Sequence, residues 1–193
     1  MDAFESVIAM LLRNGADDGA EKYWTITGFK INLTKEEKRA IGRATTPRWE
    51  IDVVAYNAEK NEVLAVECKS FLNSGGVMFC NGNFKAPRRY KLFTEEKVRK
   101  TVLDALEKQL VKSGLCRKNP NVRLCLAVGK FGGKCDRLGL EEFLRCNVNG
   151  YLLDEDWIGN RIRALPESRY ENEVAHVAVK LYQRERIRNP RAD

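Results

Sequence analysis

Residues 50–56 have the sequence EIDVVAY, residues 63–69 have the sequence VLAVECK, and the polar segment NAEKNE at 57–62 joins them. Two runs rich in valine, leucine and alanine on either side of a polar segment predict a β-hairpin. Their acidic residues are unusual, because Asp and Glu are depleted in strands and buried charges are rare unless they are paired or bind a metal. The hairpin therefore predicts a charged site built on two neighbouring strands.

Strand geometry predicts which charged side chains meet. Side chains alternate between the faces of a strand, so one face should carry Glu50, Asp52, Val54 and Tyr56. The same rule puts Glu67 on one face with Lys69. A symmetric turn then pairs Asn57 with Glu62, Asp52 with Glu67, and Glu50 with Lys69.

The predicted pair of Asp52 and Glu67 requires a positive charge between the two side chains. Opposed side chains lie roughly 4.5–5.5 Å apart at Cβ. Two carboxylates at ~4 Å would repel by about 4 kcal/mol at an effective dielectric of about 20. Lys69 is one candidate for the positive charge and a divalent cation is the other. A further alternative is that Asp52, Lys69 and Glu50 form an ion network that only braces the hairpin.

Length and composition predict a single soluble domain that binds an acidic partner. The chain has 193 residues, of which 44% are hydrophobic and 32% charged, which suits one domain with a real core. A net charge of +7 favours a partner such as nucleic acid. The early apolar run at 7–12 is too short to span a bilayer and follows acidic residues, which argues against a membrane segment and a signal peptide.

Cysteine and histidine usage excludes several kinds of site. The six cysteines are scattered without a Cys-x-x-Cys pair, which predicts reduced thiols in a cytoplasmic protein rather than disulfides or a zinc site. Cys68, inside the second apolar run, is expected to be a small core residue. The one histidine, His176, excludes His-rich zinc sites and most Ser-His or Cys-His catalysis.

The segment before the hairpin predicts a helix, a strand and a second helix. Residues 2–14 have the apolar spacing of an amphipathic helix. Glu5 lies at the border of its buried stripe, either as a solvated first-turn acid or as a carboxylate directed into a site. Residues 23–33 predict a strand, and residues 34–42 a short helix with a Thr34–Glu37 capping box.

The segment after the hairpin carries a basic stretch. Residues 70–93 are longer than an ordinary connection, which suggests a functional or mobile loop. Positive charges interleave with Tyr90 there and continue onto the next helix, so the candidate phosphate-binding residues are Lys85, Arg88, Arg89, Lys91 and Lys97. A solvated basic loop is the alternative.

The remaining elements predict a mixed sheet covered by helices on both faces. Expected helices are 94–113, capped by Thr94, then 138–146 and 155–165; expected strands are 121–129 and 150–153. Residues 171–183 fit a helix or a strand. We expect one α/β domain at 1–183 and a basic tail at 184–193, with four arginines near the end.

Asp52 followed by Glu67-Cys68-Lys69 resembles the motif of the PD-(D/E)XK nuclease superfamily. The helix that carries Glu5 resembles the first helix of its restriction-endonuclease-like and archaeal Holliday-junction-resolvase-like branches. The element order resembles the αβββαβ core of that superfamily over residues 2–128. The motif is short, and its resemblance to the superfamily is made specific by its context: one acid in each strand of a single hairpin, with a helix before the hairpin and a helix after it.

The resemblance implies a Mg²⁺-dependent DNA endonuclease acting in defence or in recombination and repair. Asp52, Glu67 and the backbone carbonyl of Cys68 would bind Mg²⁺, and Mn²⁺ is expected to substitute. Glu5 would reach the ion through water or hold a second ion, and Lys69 would orient the attacking water or stabilise the transition state. Related nucleases often act as homodimers.

Two alternatives share these residues. One is a non-catalytic nucleic-acid-binding module of the same fold, and the other is a nuclease directed at RNA. Whether Glu50 shares the metal site also stays open.

Overall fold

The computed structural model describes residues 2–14, 22–43 and 48–165. A five-stranded mixed sheet organises this part of the chain, in the order β1-β2-β3-β6-β7. Its strands are β1 (Trp24–Ile31), β2 (Trp49–Asn57), β3 (Glu62–Lys69), β6 (Asn121–Val128) and β7 (Tyr151–Leu153). The first three strands pair antiparallel, whereas β6 and β7 run parallel to β3. The predicted mixed α/β architecture is confirmed at this level.

Helices cover both faces of the sheet, as predicted. On one face α1 (Ala3–Asn14) and α6 (Glu155–Arg163) pack against alternate residues of β2 and β3 such as Val53 and Val66. On the other face α4 (Glu96–Lys112) and α5 (Arg137–Phe143) pack against the intervening residues. Strict alternation inside β3, where Ala65 faces α4 and Val66 faces α1, gives each face its own apolar core.

The hairpin has the predicted register. Pairing runs from Asn57 with Glu62 at the turn to Val53 with Val66. The short helix α2 (Lys35–Ala40) also carries the predicted capping box, in which Thr34 and Glu37 each accept the other's backbone N–H. Local sequence patterns decide both features, because turn length fixes strand register and capping needs only residues three apart.

Side-chain alternation along β2 breaks at Asp52, and this corrects part of the prediction. Ile51 packs in the α4-side core together with Val54, whereas Val53 packs in the α1-side core. Alternation alone would have placed Ile51 with Val53. Glu50 therefore lies on the face opposite Val54, and the prediction that both share a face is wrong.

A glycine in the neighbouring strand explains the break. Gly28 of β1 lies opposite Asp52, between the residue pairs that flank it. Its φ of 62° is in the left-handed region, which glycine adopts without steric cost. The side-chain alternation of this segment changes as well: Tyr23 packs in the α1-side core, whereas Phe29 and Ile31, an even number of residues later, pack in or against the α4-side core.

Residues 70–93 form a folded segment rather than a plain loop. They contain the two-stranded ribbon β4 (Phe79–Cys80) and β5 (Asn83–Phe84), a 3₁₀ turn (Pro87–Arg89) and the one-turn helix α3 (Lys91–Thr94). Their buried side chains join the α4-side core and are Val77, Phe79, Phe84, Tyr90, Leu92 and Phe93. This packing fixes the basic residues relative to the sheet.

Helix boundaries differ from the prediction in two places. Thr94 ends α3 and its hydroxyl donates to the Tyr90 carbonyl, so it does not cap α4. The extended Glu95 separates the two helices. The helix expected at 138–146 becomes α5 followed by a π-helical turn at Leu144–Val148.

Several predictions concern residues outside the described ranges. The element at 171–183, the basic tail at 184–193 and His176 all lie there, as does the domain limit at 183. All six cysteines are described and none forms a disulfide, as expected. Within the described ranges no helix is long and apolar enough to cross a membrane.

Candidate active site

Asp52 and Glu67 meet where the hairpin opens. Regular pairing between the strands ends at Val53 and Val66. Beyond that point the Cys68 N–H donates to Asp52 Oδ2 at 2.7 Å, so a side-chain carboxylate takes a donor that a ladder would pair with a backbone carbonyl. The interrupted side-chain alternation of β2 at Asp52 allows this hydrogen bond. The same interruption places the Asp52 carboxylate against the end of β3.

Lys69 supplies the positive charge that the two acids require. Its Nζ lies 3.5 Å from Glu67 Oε2 and 4.0 Å from Asp52 Oδ2, and it donates to the Cys68 carbonyl at 3.2 Å. Of the two candidates that the sequence leaves open, the lysine lies beside both carboxylates. The predicted pairing of Lys69 with Glu50 is replaced, because the kink turns Glu50 to the other face.

One ammonium does not balance this site. Burial raises the pKa of Glu67 to about 7; Lys69 lowers it, and the charges of Asp52 and Glu5 raise it further. The main cause is the loss of solvation on burial, and the two neighbouring acids add to it. A cation that binds at the site would favour the ionised form of Glu67.

Cys68 contributes its backbone rather than its thiol. The side chain packs against the α1-side core, as predicted. Burial, followed by the charge of Asp52, raises the pKa of the thiol, so the sulfur stays protonated and is a poor nucleophile. Its carbonyl oxygen faces Lys69 and its N–H faces Asp52.

Glu5 lies close enough to affect the site but is engaged at the helix end. Its Oε2 accepts the Asp2 N–H at 3.1 Å at the first turn of α1. Its charge nonetheless raises the pKa of both Glu67 and Cys68. The first-turn role of Glu5 is therefore observed, and its role as a carboxylate directed into a metal site stays a prediction.

The oxygen atoms of this site suit a hard cation. The donors are the carboxylates of Asp52 and Glu67 and the carbonyl of Cys68, which are the ligand types that Mg²⁺ prefers. In the part of the chain that the structure describes, no three His, Cys, Asp or Glu side chains form a ready metal cluster. A bound ion would therefore rely on two carboxylates, a carbonyl and water, and Lys69 would have to yield its position.

A cleft with basic walls leads to Glu67. It is lined by Arg43, Trp49, Glu67, Arg88, Arg89, Tyr90, Lys91, Leu92 and Phe93. Three of the predicted phosphate-binding residues are thus brought to the predicted acid. Lys91 also pairs with Glu95 at 3.7 Å.

The other two predicted phosphate-binding residues lie elsewhere. Lys85 lines a second groove that shares Arg89 and Tyr90 with the cleft. Lys97 is exposed on α4 and lines neither the cleft nor this groove among the described residues. The basic residues of the folded segment 70–93 thus line the cleft or the adjoining groove, whereas Lys97 in the first turn of α4 lines neither.

Sequence reasoning missed Arg43 and Trp49 in the cleft wall. The Arg43 guanidinium lies 4.4 Å from the centre of the Trp49 ring. A usable signal was the position of Trp49 at the start of the acid-bearing strand, three residues before Asp52. Arg43 had no such signal, because α2 brings it to the cleft only through the tertiary fold.

No protein-family model, no curated protein and no solved structure matches this chain.

Proposed function

We propose that this protein is a Mg²⁺-dependent nuclease that hydrolyses nucleic-acid phosphodiester bonds, most readily those of DNA, on a core like that of the PD-(D/E)XK superfamily. The observation that carries the proposal is the pair Asp52 and Glu67 around a single Lys69, with Glu67 in the lining of a cleft that has cationic walls. The order of the sheet, with an antiparallel hairpin followed by a parallel strand after a long helix, agrees with that core.

The chain's own residues would divide the work. Asp52, Glu67 and the Cys68 carbonyl would hold the ion, which when bound supplies a Lewis acid that activates water and offsets charge on the scissile phosphate. Lys69, released from its present acceptors, would donate to a phosphate oxygen or to the attacking water. Arg88 and Arg89 would fix the flanking phosphates in the cleft.

The alternative of a non-catalytic binding module has one observation in its favour. Lys69 already lies between both acids, which resembles a finished ion network. Two acids around a single lysine, with one of them in a cleft lined by four cations, favour the nuclease over that alternative.

A cleavage assay tests the proposal. Labelled duplex, branched and single-stranded DNA, and a single-stranded RNA, would be incubated with wild type, Asp52→Asn and Glu59→Gln in Mg²⁺ and in EDTA. Glu59 is an exposed acid in the turn of the same hairpin and serves as the matched control. We expect cleavage by wild type and Glu59→Gln only, and only with the metal.

The Asp52→Asn variant keeps a side-chain oxygen that can accept the Cys68 N–H, so this variant should fold. Binding of DNA without cleavage by any of the three proteins would establish the module instead. Preferential cleavage of the RNA would establish an RNA-directed nuclease.

A further inference from the structure

The active-site cleft shares two of its lining residues with the second groove. The lining of the cleft also includes Glu67 and Trp49. The second groove is lined by Phe71, Ser74, Gly75, Gly76, Met78, Lys85, Ala86, Arg89 and Tyr90. Arg89 and Tyr90 belong to both, so the two depressions adjoin, and we refer to them together as the path.

The charge along this path is strongly positive. The described lining residues include five cations against a single acid, Glu67; the cations are Arg43, Lys85, Arg88, Arg89 and Lys91. Apart from the acid at the reaction centre, the path therefore suits an anionic backbone along its length.

Each of the two depressions has a partly exposed aromatic side chain in its lining, Trp49 in the cleft and Phe71 in the second groove. Trp49 and Phe71 are each only partly buried against the α4-side core. Tyr90 is different, since it is 5% exposed and stacks on Phe84 at 4.1 Å, and so belongs to the core. Trp49 and Phe71 are the partly exposed rings, and at Trp49 the Arg43 guanidinium, 4.4 Å from the ring centre, would have to turn aside to a phosphate to admit a base.

Phe71 is held in a conformation that its side chain disfavours. Its φ is 45°, in the left-handed region, where a bulky residue is a backbone outlier. Both the N–H and the hydroxyl of Ser74 donate to the Phe71 carbonyl and stabilise the turn. Strain of this kind concentrates at functional sites. It fixes an aromatic ring beside the groove two residues after Lys69.

We infer that the path binds a single strand of nucleic acid, with its phosphates on the cationic walls and unpaired bases stacked on Trp49 and Phe71. A paired base in a duplex hides its faces in the helix, so rings in a cleft can serve only bases that are unpaired. A duplex-binding surface would need the cations alone. This inference rests on the proposed function only for the cleavage of the bound strand. Binding of the strand can be tested separately from its cleavage.

The test uses fluorescence anisotropy in the cleavage-deficient Asp52→Asn background with a labelled oligothymidine and a duplex of equal length. Added to this background, Trp49→Leu keeps apolar volume but removes the ring. Trp157→Leu is the matched control, because Trp157 also carries an arginine, Arg161, 5.1 Å from its ring centre, but lies on α6. Phe71→Leu is the second variant.

We expect the oligothymidine to bind more tightly than the duplex at equal salt. Trp49→Leu and Phe71→Leu should each weaken single-strand binding by about 10-fold, within the range of one lost base stack, and leave duplex binding unchanged. Arg88→Gln should instead make the affinity for the oligothymidine depend less steeply on salt concentration, because it removes a phosphate contact. Trp157→Leu should alter neither.

Tighter binding of the duplex, or equal losses from Trp49→Leu and Trp157→Leu, would overturn the inference. The two proposals also fail separately. Mg²⁺-dependent cleavage with a duplex preference would retain the nuclease and remove the single-strand path. Single-strand binding that depends on Trp49, without cleavage by the wild type, would retain the path and remove the nuclease.

Discussion

The two ends of the β2–β3 hairpin each hold a glutamate, and the two side chains have opposite environments. At the turn end Glu62 is 6% exposed, and each of its carboxylate oxygens has a partner. The Tyr23 hydroxyl donates to Oε2 at 3.0 Å, and Arg123 Nη1 lies 3.7 Å from Oε1. At the open end Glu67 shares one lysine with Asp52 and with a backbone carbonyl.

The contrast separates a brace from a site within one strand. At the turn end one acid faces one cation, and the neutral tyrosine supplies the remaining donor. At the open end two acids face one cation, and burial raises the pKa of Glu67 to about 7. An arrangement selected for stability would resemble the first, because an unbalanced buried charge costs free energy of folding. This contrast is the reason for placing the proposed active site at the open end.

The largest expected effect is on cleavage and separates the two ends. Glu67→Gln should reduce the Mg²⁺-dependent rate by roughly 100- to 1,000-fold, because it removes a charged oxygen from the metal and phosphate site. Glu62→Gln, the same change at the turn end, should leave the rate per folded molecule unchanged. Single-turnover kinetics, normalised to folded protein by circular dichroism, measures both. Equal losses would mean that the ends do not differ in function.

The next largest effect is on stability, and here the turn end of the hairpin is the sensitive one. Glu62→Ala should lower the free energy of unfolding by about 3 kcal/mol, because it leaves the Tyr23 hydroxyl and the Arg123 guanidinium without their buried partner. Urea unfolding monitored by circular dichroism gives the value. The control is Glu59→Ala in the exposed turn of the hairpin. A loss no larger than that of the control would mean that Glu62 is no brace.

The pKa of Glu67 predicts a smaller stability effect with a definite sign. Folding raises this pKa from 4.5 to about 7, so the folded state holds the proton more tightly. The contribution of this group to stability therefore falls as the pH rises from 4.5 to 7. Glu67→Gln removes the penalty and should stabilise the protein by roughly 2 kcal/mol at pH 8 and by little at pH 4.5.

Urea unfolding of wild type and Glu67→Gln across this pH range measures the difference. A difference that does not change with pH would contradict the assignment of the raised pKa to Glu67. Metal binding competes with the same proton, so Mg²⁺ affinity measured by calorimetry should rise as the pH passes 7. An affinity that is flat between pH 6 and 8 would mean that Glu67 is not a ligand.

Sequence reasoning succeeded where short-range rules decide the outcome. The polar turn fixed the hairpin register, and the register placed Asp52 near Glu67 with Lys69 between them. The Thr34–Glu37 capping box followed in the same way from residues three apart. These features depend on neighbours along the chain or on one turn, so one sequence contains the information.

It failed where a distant residue changes local geometry. The left-handed Gly28 reverses the side-chain phase of β2 at Asp52, which moves Glu50 away from Lys69 and frees the Asp52 carboxylate to accept the Cys68 N–H. Nothing near Asp52 signals that kink. The folded form of residues 70–93 was missed because its apolar residues lack a helical or strand period and are buried by tertiary contacts alone.

The smallest expected effect tests whether the two ends are independent. Tyr23→Phe removes one hydrogen bond to Glu62 and should cost about 1 kcal/mol of unfolding free energy. Combined with Asp52→Asn at the open end, the two changes should add to within about 0.5 kcal/mol, because they share no partner.

The effects of Asp52→Asn and Glu67→Gln on the free energy of unfolding should not add, because both acids share Lys69. Once Asp52 is neutral, Lys69 serves Glu67 alone, so the second change should stabilise the protein less than it does in wild type. Double-mutant cycles by urea unfolding at pH 8 measure both terms. Coupling between Tyr23 and Asp52 as strong as that between Asp52 and Glu67 would mean that the hairpin transmits charge changes along its length, and that brace and site are one network.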